Sequence, residues 1–376
     1  MKKTLLLLSM MATMLTACSD DDSENQTNDP VISPATEIKG LYIMCEGNWG
    51  SNNAAVDFID FSSSQYTQNI FEKSNPDIVM GLGDTSSDMQ AYGNQLWVVV
   101  NGSNKVEVLD IETCKRIAKI DVTNCRYVTF NDDYAYISSY VGPMAADNVQ
   151  LGTVFKIDTR NFNKVDSVVV SYQPEEMAII GNMLYVACSG GYRYPTYDRV
   201  ISAIDLATFK KVSDIDTEVN LHRMRKDSNN QLWVTSRGNY ADKGPSLICM
   251  NKDASGNLIV SNKKDIAVSD MCIVGDSLYY FGVEWDNATM SNKVSYGIIN
   301  TKTQEQVPTT IFNNESFKQI EVPYGIIVTP DKRELFITDA KNYVSSGKLF
   351  HFSADGSCKW SMWTSDIPSK MVFYSK

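Results

Sequence analysis

Short apolar runs recur in pairs along this chain, and seven pairs can be followed from one end to the other. The first run of a pair is almost continuously apolar and rich in β-branched and aromatic residues, which is typical of a strand covered on both faces. These first runs occupy residues 41–47, 96–102, 135–141, 184–190, 232–238, 278–284 and 335–341. The second runs begin at Val56, Val106, Val154, Ile201, Leu247, Tyr296 and Leu349. They alternate more strictly between apolar and polar positions, so each pair predicts two neighbouring strands.

Several of the second runs end in an Ile-Asp pair, as at Asp60, Asp158 and Asp205, with Thr, Ser or Lys close behind. A side-chain oxygen at this position can accept hydrogen bonds from backbone amides about two residues further on and so close a tight turn. The repeated Ile-Asp pairs therefore predict turns between strands, and we do not interpret them as catalytic carboxylates.

Two weaker apolar segments flank each pair. Segments such as residues 88–92, 128–131, 176–180 and 325–329 precede a pair, and segments such as 117–121, 164–170 and 212–215 follow one. Four strands repeated about every 40–55 residues correspond to one blade of a β-propeller. We name the strands of a blade a, b, c and d, counted outward from the central channel.

The two ends of the repeat are incomplete in a complementary way. The first copy begins directly at a b strand, and a spare strand at residues 369–374 follows the last copy. This strand would complete the first blade and close the ring. The sequence therefore predicts an all-β, seven-bladed β-propeller of four-stranded blades over residues 39–376, with the first blade closed by the C-terminal strand. The repeat resembles that of YncE-type, surface-layer-like seven-bladed propellers.

Residues 1–17 are predicted to be a lipoprotein signal peptide, because Lys2 and Lys3 precede an apolar core that is too short to span a membrane. The signal ends at Cys18 in a motif that resembles the bacterial lipoprotein box. The resemblance implies cleavage before Cys18 and lipidation of its thiol. An ordinary secretory signal followed by a chance cysteine is the alternative.

Residues 18–38 are polar and lack an apolar period, which predicts a disordered acidic tether. The acidic run at 19–24 resembles the surface-export signal of Bacteroidetes lipoproteins, and a merely solvated linker is the alternative. Together with a lipidated Cys18, this run predicts a protein that is held at the outer membrane by its lipid anchor alone and faces the cell exterior.

Composition narrows the function classes. The formal net charge of −11 argues against nucleic-acid binding, which needs a basic surface. Of the eight cysteines, Cys45, Cys188 and Cys249 fall within predicted b or c strands, where Cys acts as a small apolar residue. Cys114 and Cys125 lie at opposite ends of a predicted d strand, beyond disulfide reach, so no disulfide framework is expected.

Sequence motifs for catalysis are scarce. The two histidines belong to no Cys/His spacing typical of zinc, and no phosphate-binding loop or catalytic serine motif is present in the sequence. We therefore expect no metal and no cofactor, and a binding protein rather than an enzyme. If the protein were an enzyme, Glu46, Glu284 and His222 at the channel mouth would be the residues to examine.

The connections between strands differ on the two faces of the predicted ring. Turns from a to b and from c to d are short, whereas connections from b to c vary in length and are rich in aromatic residues with Asn or Arg. Long connections without structure of their own are commonly functional. Aromatic rings offer rigid apolar area, and Asn, Arg and Tyr supply directional hydrogen bonds. This face therefore predicts a site for a large, flat ligand rich in amides or hydroxyls, with loop packing as the alternative role for each residue.

The candidate ligand-binding residues follow from these positions. Those in b–c connections are Trp49, Asn52, Asn53, Tyr140, Tyr192, Arg193, Tyr194, Tyr197, Arg237, Asn239, Tyr240, Trp285 and Tyr343. The d–a connections add Arg126, Tyr172 and His222, and they place Tyr127, Arg223 and Tyr324 on the same face.

The opening blade carries the most specific motif, Glu-Gly-Asn-Trp-Gly-Ser-Asn-Asn at residues 46–53. With the lipoprotein box, the acidic run and the predicted ring, it resembles the Bacteroidetes surface propeller lipoproteins that include the BtuG cobalamin-binding proteins. The resemblance implies cobalamin or a related corrinoid as a transported ligand, and a TonB-dependent outer-membrane corrinoid transporter as the partner. A glycan-binding lipoprotein of a polysaccharide-uptake system, a protein-interaction propeller without a small-molecule ligand, and a lyase or hydrolase are the alternatives.

Overall fold

The computed structural model describes residues 37–142, 149–286 and 288–375. The predicted signal peptide, the predicted lipidation site at Cys18 and nearly all of the predicted tether lie outside the described residues. Within the described ranges, no helix is long and apolar enough to cross a membrane.

The described residues form seven four-stranded antiparallel sheets, one for each predicted blade. In chain order the strands are β1 (Ile38–Cys45), β2 (Ala55–Asp60) and β3 (Gln65–Thr67) in blade 1; β4 (Ser86–Tyr92), β5 (Gln95–Val100), β6 (Lys105–Asp110) and β7 (Arg116–Asp121) in blade 2; β8 (Cys125–Asn131), β9 (Tyr134–Ser139), β10 (Leu151–Asp158) and β11 (Lys164–Tyr172) in blade 3; β12 (Pro174–Ile180), β13 (Met183–Cys188), β14 (Val200–Asp205) and β15 (Lys210–Asp216) in blade 4; β16 (Leu221–Lys226), β17 (Leu232–Ser236), β18 (Ser246–Lys252) and β19 (Leu258–Lys264) in blade 5; β20 (Asp270–Val274), β21 (Ser277–Asp286), β22 (Ser291–Asn300) and β23 (Glu305–Gln306) in blade 6; and β24 (Pro323–Val328), β25 (Glu334–Asp339), β26 (Ser346–Ser353) and β27 (Cys358–Asp366) in blade 7, followed by β28 (Pro368–Ser375). Helix α1 (Ile70–Ser74) precedes β4, and 3-10 helices at Ile311–Asn313 and Glu315–Gln319 precede β24.

The innermost strand of each sheet lines the central channel, and in blade 1 this strand is β28. These inner strands contact one another in the order β28, β4, β8, β12, β16, β20 and β24, and β24 contacts β28 again. Outermost strands such as β15 and β19 are largely exposed. The seven-bladed propeller predicted from the repeat is confirmed, and so is the completion of blade 1 by the C-terminal strand.

Two sets of contacts close the ring between blades 1 and 7. Strand β28 pairs with β1 along most of its length, with Leu41 opposite Phe373. Beside this seam, the buried carboxylate of Asp57 on β2 accepts hydrogen bonds from the backbone N–H and the hydroxyl of Ser365, both at 2.8 Å. Because Ser365 lies on β27, these bonds join the first blade directly to the last.

Apolar layers between neighbouring blades form the core. Tyr42 and Met44 of blade 1 pack against Leu96 and Val98 of blade 2, and buried apolar clusters also occupy the other junctions around the ring. Burying one large aliphatic side chain stabilises a protein by roughly 1.5–3 kcal/mol. The b strands are nearly continuously apolar because a neighbouring blade covers each of their faces.

The Ile-Asp pairs form turns, as predicted. The carboxylate of Asp60 accepts the backbone N–H of Ser62 at 2.8 Å, and that of Asp205 accepts the backbone N–H of Thr208 at 2.8 Å. Hydrogen bonds from Ser62 and Thr208 lower the pKa of Asp60 and Asp205 below the ordinary value of 3.8. These carboxylates therefore stabilise the turns between strands c and d.

The seven cysteines of the described ranges are free thiols. Cys45, Cys188 and Cys249 lie in β1, β13 and β18 and are buried, as the sequence predicted. Burial raises the pKa of the Cys114 and Cys125 thiols to about 12. Since the thiolate is the nucleophilic form, these side chains act as small apolar groups in the core.

We predict that Gly325→Ala strongly destabilises the ring. A Cβ at Gly325 on β24 would lie 1.6 Å from the carbonyl oxygen of Ser369 on β28, so the two inner strands at the closure would have to separate. Overpacking of this kind costs about 1–3 kcal/mol of unfolding free energy, and more where backbone must move. Urea unfolding monitored by circular dichroism measures the change.

Gly244→Ala is the matched control, because a Cβ at Gly244 meets no atom within 4 Å. Equal unfolding midpoints for the two variants would contradict the tight approach of β24 to β28.

Candidate functional site

A cavity of about 740 Å³ opens on the face that carries the b–c and d–a connections. Its wall is built from residues near the start of inner strands, such as Arg126 and His222. Residues that follow b strands, such as Glu46, Arg237 and Tyr343, complete it. Among the described residues, every blade except the fourth contributes to the lining. The volume falls within the range of roughly 300–1,000 Å³ that is typical of small-molecule sites.

Irregular pairing at the start of the inner strands aims consecutive side chains at the channel. In β8 the register with β9 shifts so that Arg126 and Tyr127 both lie opposite Ser138. The same irregularity occurs in β16 at His222 and Arg223. A regular strand would turn the second residue of each pair to the other face, whereas a β-bulge redirects it. All four side chains consequently line the cavity.

Four of the candidate ligand-binding residues expected in connections belong to strands instead, as do Tyr127, Arg223 and Tyr324. Arg126 and His222 are the second residues of β8 and β16, and Tyr172 is the last residue of β11. Trp285 lies in β21 and pairs with Asn292 of β22, so the connection of blade 6 is an extended hairpin rather than a loop. The predicted loop positions are wrong because strand pairing continues up to the rim of the channel.

Glu176 is the centre of a saturated ionic cluster. Its carboxylate accepts hydrogen bonds from Arg223 at 2.9 Å, from Lys370 at 2.8 Å and from Arg225. Asp270 lies 3.4 Å from both guanidinium groups. Burial pushes the pKa of Glu176 upward, but Arg225, Lys370 and Arg223 outweigh that effect and hold this pKa well below its ordinary value. Lys370 lines both the main cavity and a second cavity of about 240 Å³, so the cluster separates the two.

The neighbouring Glu175 is held differently. Its Oε1 accepts hydrogen bonds from the Tyr140 hydroxyl at 2.6 Å and from the Ser189 hydroxyl at 3.0 Å. Arg126 and Arg237 approach the same carboxylate only at ion-pair distances of 3.5 and 3.9 Å. One fixed carboxylate of blade 4, behind the wall, therefore faces two guanidinium groups that border the cavity.

His222 is a buried, neutral group in the cavity wall. Its Nε2 lies 2.9 Å from the Tyr127 hydroxyl, whose oxygen accepts a hydrogen bond from Arg223. The donor in this contact is set by the imidazole tautomer, and in either direction the contact holds the ring of His222 against Tyr127. Burial, with the positive charges of Arg237, Arg223 and Arg126, lowers the pKa of His222 well below its ordinary value.

Aromatic rings border the mouth of the cavity. Trp285 and Tyr240 are 57% and 72% exposed, whereas the arginines and His222 lie deeper. The Tyr343 ring packs edge-on against Tyr324, with their centroids 5.4 Å apart. The Tyr324 hydroxyl donates to Glu46 at 3.1 Å, and burial raises the pKa of Glu46 above its ordinary value. The site thus has a charged interior beneath an aromatic rim.

Six of the candidate residues are brought together on this wall. They are Arg126, His222, Arg237, Tyr240, Trp285 and Tyr343. Tyr197 lies 6.2 Å from Tyr240 and 6.1 Å from Tyr194 between ring centroids, so these tyrosines extend the aromatic rim outward.

The other candidates lie elsewhere on this face and make contacts of their own. Tyr140 is buried with its hydroxyl on Glu175, and the ring of Tyr192 packs against it. The guanidinium of Arg193 lies 3.8 Å from the ring centroid of Tyr172.

Three candidate asparagines donate hydrogen bonds to other groups of the protein. Asn52 donates to the carbonyl of Met80, Asn53 donates to Asp366, and Asn239 donates to Asp242. Trp49 is 63% exposed on the loop after β1 and does not line the cavity among the described residues.

Several wall residues were not among the sequence candidates. Ser87, Ser269 and Lys370 line the cavity from the starts of inner strands. Lys370 carries a sequence signal in retrospect, because it is a lysine in the otherwise mainly apolar closing strand. Within the described part of the chain, no group of three or more His, Cys, Asp or Glu side chains is placed to hold a metal ion.

Comparisons with known proteins identify a family and support the fold. A family model described as a domain of unknown function, DUF5074, matches residues 39–354. No match was found among curated proteins. Hydrazine synthase of Kuenenia stuttgartiensis is 19% identical over 70% of this chain and 74% of its own, with a TM-score of 0.53.

Two further solved structures cover more of this chain. The periplasmic gluconolactonase PpgL of Pseudomonas aeruginosa is 13% identical over 89% of this chain and 99% of its own, with a TM-score of 0.58. A quinonprotein alcohol dehydrogenase-like protein of Bacteroides thetaiotaomicron is 14% identical over 89% of this chain and 78% of its own, with the same TM-score of 0.58. At these identities the likeness shows the fold alone, and no activity is transferred from it.

The neutral state of His222 predicts a pH-dependent stability. Its pKa in the folded protein is well below 6.5, whereas the unfolded chain titrates near 6.5, so the unfolded state binds more protons as the pH falls below that value. The free energy of unfolding should therefore decrease between about pH 7 and pH 5, and His222→Gln should reduce this slope by up to about 1.4 kcal/mol per pH unit.

Urea unfolding of His222→Gln and of the unchanged protein, at matched pH values, measures the two slopes. The contributions of the other titrating groups cancel when one slope is subtracted from the other. Identical slopes for His222→Gln and the unchanged protein would mean that His222 binds protons equally in the folded and unfolded states, which would contradict the lowered pKa.

Proposed function

The chain belongs to the DUF5074 family, and we propose that it captures cobalamin or a related corrinoid at the outer surface of the outer membrane. In this proposal Cys18 carries the lipid anchor, and the bound corrinoid passes to a TonB-dependent outer-membrane transporter. A propeller hosts many functions, so the proposal depends on the site and not on the ring.

The observation that carries the proposal is the combination of an aromatic rim with a charged interior in one cavity. Trp285, Tyr240 and Tyr343 offer ring faces at the mouth, and Arg126 and Arg237 border the space beneath them. A corrin ring has an extended apolar face for aromatic contacts, and its peripheral amides and phosphate accept hydrogen bonds. Such a ligand matches both parts of the cavity.

The rigidity of the wall also supports tight binding. Arg126, His222 and Trp285 lie on paired strands, and the ionic cluster around Glu176 fixes the inner strands behind them. A preorganised wall and a rigid ligand lose little conformational freedom when they associate. The unfavourable entropy that offsets the contact energy is therefore smaller.

Glycan binding is the second candidate. Trp49 and Tyr194 are 63% and 69% exposed on the same face, outside the cavity, and exposed aromatic rings can stack on sugars. A glycan array separates this function from corrinoid capture. Binding of neither ligand class would favour a protein-interaction propeller.

We predict that the purified protein binds cyanocobalamin with micromolar or higher affinity and that Trp285→Ala weakens this binding. Removal of an aromatic contact that the ligand buries costs about 2 kcal/mol, which corresponds to roughly 30-fold in the dissociation constant. Isothermal titration calorimetry and co-elution of the red chromophore measure binding. Because Trp285 extends from a hairpin and is largely exposed, the fold should remain intact.

Trp363→Ala is the matched control, since Trp363 is 60% exposed on the outermost strand β27, away from the cavity lining. Trp49→Ala should have a smaller effect than Trp285→Ala, because Trp49 does not line the cavity among the described residues. Failure of the unchanged protein to bind both cyanocobalamin and dicyanocobinamide, a corrinoid without the nucleotide, would exclude corrinoid capture.

A further inference from the structure

Adjacent residues Glu175 and Glu176 face cations in two different ways. Glu176 accepts close hydrogen bonds from Arg223, Arg225 and Lys370, so its charge is fully compensated. The oxygen Oε2 of Glu175 accepts no hydrogen bond among the described residues, although Arg126 lies 3.5 Å away. Arg126 therefore lies close to the Glu175 carboxylate without donating a hydrogen bond to its Oε2.

The two guanidinium groups beside Glu175 retain hydrogen-bonding capacity. The Nε atom of Arg126 is buried and has no acceptor among the described residues. Arg126 is held in place by the rings of Tyr140 and Tyr127, whose centroids lie 4.9 and 5.6 Å from its guanidinium carbon. Arg237 approaches Glu175 only at 3.9 Å. An unused buried donor is costly, and structures usually supply a partner for it.

The charge balance of the wall favours a negatively charged partner. Two guanidiniums facing the single carboxylate of Glu175 leave one positive charge. Arg223, Arg225 and Lys370 facing Glu176 and Asp270 leave another. Asp88 and Glu46 are further carboxylates beside Lys370, Arg225 and Arg223, so the local excess of positive charge lies at Arg126 and Arg237. This excess occurs in a chain whose net charge is −11.

We propose that Arg126 and Arg237 form an anion subsite within the cavity and that this subsite binds a phosphate group. This inference rests on the proposed function for the identity of the ligand, and it names the phosphodiester of a complete corrinoid as the group that anchors it. Guanidinium groups bind the oxygens of phosphate through paired, charge-assisted hydrogen bonds. Two guanidiniums from different blades can each donate to a different oxygen of one tetrahedral anion.

The histidines provide a direct test with inorganic phosphate as the probe. The chain has two, and His222 lies in the cavity whereas His351 lies on β26, stacked on Phe336. Phosphate bound at Arg126 and Arg237 should raise the pKa of His222 and shift its imidazole signals in proton–carbon correlation spectra. The signals of His351 should not move, and acetate at equal ionic strength should have a much smaller effect.

Arg237→Gln is the decisive variant, because Arg237 is partly exposed and makes a single long ion pair. This substitution should abolish the phosphate-dependent shift of His222. Arg333→Gln is the matched control, since Arg333 is 82% exposed in the turn before β25 and lies away from the cavity lining. An unchanged phosphate response in Arg237→Gln, or no response in the unchanged protein, would overturn the subsite.

A comparison of two corrinoids connects the subsite to the ligand. Cyanocobalamin carries the phosphodiester, and dicyanocobinamide lacks it. Arg237→Gln should weaken cyanocobalamin binding about tenfold or more, as loss of a charge-assisted hydrogen bond does, and should leave dicyanocobinamide binding nearly unchanged.

The two proposals fail in different ways. A phosphate response of His222 without binding of either corrinoid would exclude corrinoid capture and support the anion subsite. Equal weakening of both corrinoids by Arg237→Gln, without a phosphate response, would exclude the subsite and leave corrinoid capture standing.

Discussion

Closure of the ring by β28 is the constraint on which the remaining structure depends. Each blade buries its apolar faces only when a neighbour is present on both sides, so the first and last blades need each other. Strand β28 supplies the inner strand of blade 1, and Asp57 bonds blade 1 to Ser365 of blade 7. The same strand carries Lys370, which reaches Glu176 of blade 4 at 2.8 Å. Closure and the charged interior of the cavity are therefore coupled through one short segment.

The bulges of the inner strands explain how a regular ring presents an irregular site. Arg126 with Tyr127, and His222 with Arg223, are consecutive residues whose side chains all line the cavity, which strict alternation would forbid. Each bulge gives the channel an extra polar side chain at the cost of one regular ladder position. Since polar groups are buried there in ion pairs and hydrogen bonds, the arrangement fixes side-chain positions as well as supplying them.

Most of the fold and only part of the site could be predicted from the sequence. The paired apolar runs located the b and c strands because burial on both faces leaves a strong pattern, and the spare strand at the C terminus revealed the closure. The bulges leave no such pattern, so the sequence places Arg126 and His222 in connections. The closing strand of Lys370 indicates only its role in completing blade 1, and the bond of Asn52 to Met80 joins residues whose proximity has no sequence signal.

The overall negative charge and the cationic cavity act over different distances. The net charge of −11 is spread over the whole chain, and salt screens exposed charges beyond about 8 Å at physiological ionic strength. Inside the cavity the nearest charges dominate, and burial weakens the screening between them. The pKa of His222 shows this effect of the nearest charges, since burial together with Arg237, Arg223 and Arg126 lowers it. A chain that is acidic overall can therefore present a local excess of positive charge at Arg126 and Arg237, as the proposed anion subsite requires, because only the nearest carboxylates offset these arginines.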